Sequence, residues 1–172
     1  MTGRFRMLLA GSLATLACAC SPAEQGVIKA QEGDAVIVLA EGACETTCPV
    51  YATTLHPDGS YVMHGERFVR IIGVQEGILD ETAWARAETA LEEVQFWTLN
   101  PDQTASPLPS CQPGPPVVDI TWRTAEGRQK TLKYRVGCGD NALRRLIAEL
   151  RAAMSFDELV WTDERFAPDG SR

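Results

Sequence analysis

The chain carries six cysteines and two histidines, and their spacing decides which chemistry is open to them. Cys44 and Cys48 are separated by three residues, ahead of Pro49 and a β-rich run. A redox dithiol favours C-x-x-C at a helix N-terminus, where the dipole lowers the thiolate pKa, so this pair is expected to clamp a turn. A structural zinc site needs tetrahedral Cys/His spacing, usually from two close pairs, and Cys111 and Cys138 do not form a second one. In an oxidising compartment, Cys44, Cys48, Cys111 and Cys138 read instead as a disulfide framework with three possible connectivities.

His56 and His64 flank a turn at Pro57-Asp58-Gly59. In the register derived below they share a face but stand four residues apart, about 13 Å along a strand. That is too far to ligate one metal or to form a base–nucleophile pair. Gly-x-Ser-x-Gly is absent, the glycine-rich stretches lack a phosphate-loop pattern, and Asp80-Glu81 and Glu92-Glu93 fall on caps or solvated helix faces. The sequence therefore predicts no catalytic residue, no cofactor and no metal ligand, and a protein that is not an enzyme. The alternative is an envelope enzyme whose carboxylates, or His64 with a neighbour, converge only in three dimensions.

The remaining cysteines belong to the N-terminus. Arg4 and Arg6 precede an apolar run from Met7 to Leu16, and Ala17-Cys18-Ala19 leads into Cys20. The run is shorter than the roughly 20 residues that span a bilayer, and the three zones fit a signal peptide over residues 1–19. A cysteine just after the cut resembles the bacterial lipobox, in which that thiol receives a diacylglycerol. Cys20 is the expected acceptor and Cys18 the alternative; an ordinary signal peptide cut at the same bond is the plainer reading. Two or three acyl chains give stable membrane anchoring. Ser21 resembles the residue that follows the lipidated cysteine in outer-membrane lipoproteins. The expected address is the cell envelope, facing the periplasm, with a soluble periplasmic or secreted form as the alternative.

Removing 19 of 172 residues takes away two arginines, so 16 basic and 23 acidic residues become 14 and 23, net −9. Such a surface argues against nucleic acid as a partner and against dwelling on anionic lipid by charge alone. Residues 20–34 read as a lipidated tether, residues 35–162 as one α+β domain and residues 163–172 as a frayed tail.

Hydropathy patterning sets out the domain. Ala35 to Ala40 predicts a strand buried on both faces. Tyr51–His56 and Tyr61–Phe68 predict a hairpin; with Gly59 left-handed in a three-residue bulged loop, His56 pairs with Ser60 and Thr54 with Val62. Tyr51, Thr53, Leu55, Tyr61 and Met63 then face the core, while Thr54, His56, Ser60 and His64 take the more exposed side. Val117–Thr124 and Arg128–Val136 repeat the device around Gly127, pairing Trp122 with Lys130, Ile120 with Leu132 and Val118 with Tyr134. A two-residue turn would mix apolar and charged faces. Outward lie Asp119, Thr121, Arg123, Thr131, Lys133 and Arg135. Within these, Arg123, Lys133 and Arg135 form a basic stripe that either docks an acidic partner or polymer or is simply solvated.

A helix is expected after each hairpin. One spans about 81–97, with Asp80 as cap and Trp84, Ala87, Leu91 and Val94 inward. The other spans about 141–154, with Asp140 as cap and Leu143, Leu146, Ile147 and Leu150 inward. Residues 156–161 should close over the core, and all four tryptophans fall on inward stripes or in that closing segment. The element order is roughly β-β-β-α-β-β-α. Five prolines between Ser106 and Pro116 stiffen the link between halves. The second hairpin's register sets Cys138 opposite Gly114, three residues from Cys111, which favours the pairings Cys111–Cys138 and Cys44–Cys48.

The stretch Cys44-Glu45-Thr46-Thr47-Cys48-Pro49-Val50-Tyr51, with Leu55, Asp58-Gly59 and His64-Gly65 after it, resembles the domain of unknown function 6438 family. Its members are mainly bacterial and often lipid-anchored; Thr46 stands where they usually have glycine. The likeness covers roughly residues 36–161. It implies the fold and an envelope address, and the family brings no established activity. The expected role is a non-catalytic binding or structural module, anchored to the membrane by lipid, with an envelope protein or polymer as partner.

Overall fold

The structure is a computed structural model that describes residues 34–105, 111, 114–138 and 141–160. The leader with Cys18 and Cys20, the tether, the Asp140 cap, Trp161 and the tail lie outside the described residues. Seven strands form one sheet in the order β4-β3-β2-β1-β6-β7-β5. They are β1 Val36–Glu41, β2 Val50–Leu55, β3 Ser60–Arg67, β4 Gly73–Ile78, β5 Asp102–Gln103, β6 Val117–Arg123 and β7 Gln129–Arg135. All neighbours are antiparallel except β5 and β7.

Both hairpins adopt the expected bulged register. Thr54 opposes Val62 and the His56 amide donates to the Ser60 carbonyl; Trp122 opposes Lys130 and Ile120 opposes Leu132. Gly59 and Gly127 sit at φ 81° and 82°, a left-handed conformation that glycine adopts without the Cβ clash. The alternation of side chains then decides what is covered. Ile37, Leu39, Leu55, Val118, Ile120, Trp122, Leu132 and Tyr134 form one buried cluster with the two long helices. Tyr51, Tyr61, Met63 and Val69 form a second with Phe156 and Val160.

The helices are α1 Ala83–Glu93, α2 Asn141–Ala153 and the single turn α3 Phe156–Leu159. Helix α2 buries Leu143, Leu146, Ile147 and Leu150 as its apolar stripe requires. Helix α1 is shorter than the hydropathy suggested. Its chain breaks at Gln95, left-handed at φ 52°, and continues as a 3-10 turn, Phe96–Thr98. Asp80 acts one turn ahead of the helix proper, its carboxylate accepting from the Thr82 amide at 2.8 Å. Trp122 is buried, whereas Trp84 and Trp97 only half-bury against the core.

Three features depart from the sequence reading. Strands β4 and β5 were not anticipated. Strand β1 is covered by helices on one face only, so Val38 and Ala40 stay half-buried on the other. His56 and Ser60, expected on the exposed side, are buried, because β4 runs beside β3 and sets Ile78 opposite Ser60.

Candidate functional site

Glu41 ends β1 on the same side as Ile37 and Leu39, so alternation carries its carboxylate beneath the helices, where it is 3% exposed. An isolated carboxylate there would be too costly to keep charged. Two elements supply partners. Arg151, on α2 one turn beyond Ile147, donates from Nε to Oε1 at 2.6 Å and from Nη2 to Oε2 at 2.5 Å. Tyr51, facing Glu41 across the β1–β2 ladder, donates its hydroxyl to Oε1 at 2.6 Å. Phe156 closes the cluster, 5.6 Å from the Tyr51 ring and 4.9 Å beneath the guanidinium.

Burial, and then the charge of Glu41 beside it, holds the Tyr51 phenol well above its ordinary range. Burial opposes the charge on Arg151, but the bonds and charge of Glu41 outweigh it and hold the guanidinium above its usual value. Both carboxylate oxygens are engaged by Arg151 and the phenol keeps its proton, so the trio is a clamp between sheet and helix rather than an acid–base pair.

A second polar centre lies toward the other edge. The Lys130 ammonium donates to the carbonyls of Phe96, Trp97 and Leu99 at 2.9, 3.1 and 2.5 Å, satisfying the end of the 3-10 turn. Burial, followed by the nearby charge of Arg128, pulls its pKa down. Trp97 stacks on Trp122 at 4.8 Å, and Arg128 lies over Trp97 at 4.1 Å.

The disulfides are Cys44–Cys48 and Cys111–Cys138, with Cα separations of 5.8 and 4.0 Å. The first closes the β1–β2 connection and is followed by a strand, which suits a brace and not a redox dithiol. His64 opposes Ala52, four residues from His56 along β2, so the histidines do not meet. No group of three His, Cys, Asp or Glu among the described residues could hold a metal ion.

The basic stripe is engaged internally. Arg123 Nε donates to the Asp34 carbonyl at 2.8 Å, Lys133 pairs with Asp119 at 3.9 Å, and Arg135 reaches the carbonyls of Thr104 and Pro115. Sequence reasoning missed Glu41 and Arg151. The signal was present: a carboxylate on the inward parity of β1 and an arginine on the inward stripe of α2.

One recess, about 200 Å³, opens on the uncovered sheet face between His56, Ser60, Val62, Glu76 and Ile78. A shallower groove of about 480 Å³ runs between α2 and α3 past Arg151, Ser155 and Glu158. The recess brings His56 and Ser60 to one lining, where the Ser60 hydroxyl donates to Asp58 Oδ1 at 2.7 Å; the groove is lined by no histidine or cysteine.

Together these features define a disulfide-braced, two-layer α+β domain whose buried charges are matched to one another. Residues 35–154 match the family described as Domain of unknown function (DUF6438), and the chain belongs to that family. No curated protein matches the chain.

Proposed function

We propose that the chain is a cell-envelope lipoprotein, anchored through Cys20 and facing the periplasm, whose domain is a non-catalytic binding or structural module. The observation that carries this reading is the pair of disulfides, which bridge all four domain cysteines. Such bridges persist in oxidising compartments and are rare in a reducing cytosol. The leader, with its apolar run and the small residues before Cys20, supplies the route to such a compartment. The role class draws on the pairing of polar groups: Glu41, Arg151 and Tyr51 hold each other, and Lys130 holds backbone carbonyls. What remains for function is surface, on a module held at the membrane.

Acyl labelling and fractionation test the anchor. The wild-type chain should take up labelled palmitate and sediment with membranes. Globomycin should stop processing, and Cys20→Ala should abolish the label while Cys18→Ala retains it. Membrane association unchanged by Cys20→Ala, with no label in the wild type, would refute the anchor. Crosslinking in cells then asks which envelope protein or polymer the module contacts.

A further inference from the structure

Strand β4 ends the sheet, and the way it does so points to a partner. Antiparallel bonds join residues that stand directly opposite. The Leu79 amide donates to the Gly59 carbonyl at 2.9 Å, so in the β3–β4 ladder the residues in register with that pair, Gly73, Gln75 and Gly77, turn their backbone groups toward β3. Val74, Glu76 and Ile78 therefore turn theirs to the free edge, where no strand pairs among the described residues.

The same residues put their side chains on the uncovered sheet face. The large hydrophobic residues that stand exposed among the described residues all fall on this segment: Ile71 40%, Ile72 44%, Val74 57% and Ile78 76%. Soluble domains blunt such edges with lysine, proline, bulges or cover. Here Val74, Gln75, Glu76, Gly77 and Ile78 offer only one charge.

We propose that this edge pairs with β4 of a second copy of the chain, antiparallel about a twofold axis through Glu76. On the uncovered face the segment is symmetric about that residue, Val74 and Ile78 flanking Glu76 as apolar–charged–apolar, which is what an isologous contact requires. In this register Val74 opposes Ile78 of the second copy, twice. The outward amides and carbonyls of Val74, Glu76 and Ile78 meet their counterparts, and two seven-stranded sheets become continuous.

Moving the centre to Gln75 would set Val74 against Glu76, and moving it to Val74 would leave Ile78 uncovered. The ends agree in charge. Antiparallel order brings the exposed Arg70 of one copy toward the exposed Asp80 and Glu81 that precede α1 in the other. The opposing contribution is Glu76 against Glu76 at the centre, where like charges face each other directly. A short edge buries less than a standard interface, so the pairing is weak. It does not depend on how the chain is anchored.

Sedimentation velocity of the exported, purified chain over a concentration series tests the pairing, and cysteine crosslinking tests the register. The wild type should show a reversible monomer–dimer equilibrium. Val74→Lys combined with Ile78→Lys should weaken it by about ten-fold or more, because each apolar cross-strand pair occurs twice. Glu76→Gln should tighten it by about two- to five-fold. Glu76→Pro should abolish it while circular dichroism stays unchanged, since that amide donates to the free edge and not to β3.

Opposed residues in a hydrogen-bonded pair stand about 5.5 Å apart, within reach of a disulfide. Glu76→Cys should therefore crosslink to itself, and Val74→Cys should crosslink to Ile78→Cys when the two are mixed. A chain that stays monomeric to about 1 mM would overturn the proposal. So would a dimer indifferent to the lysine pair, or self-crosslinking of Val74→Cys in place of Glu76→Cys.

Discussion

Among the described residues, Glu41 on β1 and Lys130 on β7 put charges on the helix-covered side of the sheet, and they are held by different means. Glu41 is matched by an opposite charge brought 110 residues along the chain, with a phenol as third partner. Lys130 has no carboxylate partner among the described residues; three carbonyls at the end of a 3-10 turn hold it. The difference is one of depth. The Glu41 side chain is 2% exposed, and a full charge so buried needs a counter-charge. Lys130 is half-buried, its stem crossing apolar surface while the ammonium reaches partial charges. The first arrangement ties α2 to the sheet, whereas the second only finishes a turn.

Breaking the ion pair should show the largest effect. Arg151→Ala leaves the Glu41 carboxylate buried with only the Tyr51 hydroxyl, and losing one partner of a buried pair costs about 3–5 kcal/mol. Urea denaturation at neutral pH measures it. The triple variant Glu41→Met, Tyr51→Phe and Arg151→Met removes both charges and the buried hydroxyl that Glu41 holds, and should recover most of that loss, to within about 1 kcal/mol of wild type. A triple variant as unstable as the single one would mean that Arg151 acts through packing on Phe156 and not through charge.

Removing the brace at the proline-rich link should come close behind. Cys111→Ser with Cys138→Ser opens a loop spanning 27 positions, worth about 3–4 kcal/mol by chain entropy. Cys44→Ser with Cys48→Ser opens one spanning four and should cost about 2 kcal/mol. Melting of both variants under non-reducing conditions gives the order, and a reversal would place the main constraint at the β1–β2 connection. Lys130→Met should cost less again, about 1–2 kcal/mol for bonds to carbonyls, because it also relieves the desolvation that lowers the lysine's pKa.

What could be read from sequence follows the same division between strong and weak local signals. Asp58-Gly59 and Glu126-Gly127 each sit between alternating runs, and only the bulged register keeps apolar residues together, so both hairpins were legible to the residue. The α2 stripe was legible for the same reason, at helical spacing. Strand β4 was not. It contains two glycines and one charge in six residues, and its inner face is filled from outside: a Cβ at Gly77 would lie 2.8 Å from the Tyr61 ring, so an aromatic of β3 occupies the place of a side chain β4 lacks. The end of α1 was hidden because Phe96 and Trp97 continue an apolar pattern that the left-handed Gln95 redirects. The Glu41–Arg151 pair was legible only as two anomalies on inward faces. Their meeting depends on how α2 crosses the sheet, which no local pattern carries.

Tyr51 offers the finest test of the comparison, because only the Glu41 side contains a titrating third member. Its folded pKa lies above the ordinary tyrosine value of about 10, raised first by burial and then by the Glu41 charge. Below that ordinary value the phenol is protonated in both the folded and unfolded states, and its contribution to stability is fully present. As pH rises beyond about 10 the unfolded chain loses the proton while the folded chain keeps it, so stability should fall. Tyr51→Phe should cost about 1 kcal/mol at pH 8, for one hydrogen bond to a carboxylate that retains Arg151, and should flatten the decline between pH 9.5 and pH 11. Urea midpoints across that range, with phenolate absorbance followed in parallel, measure both. Lys130→Met should leave this alkaline slope in place, since it does not touch the phenol. An unchanged slope in Tyr51→Phe would mean that Tyr51 ionises in the fold as freely as in the unfolded chain, and that the clamp is a two-membered pair.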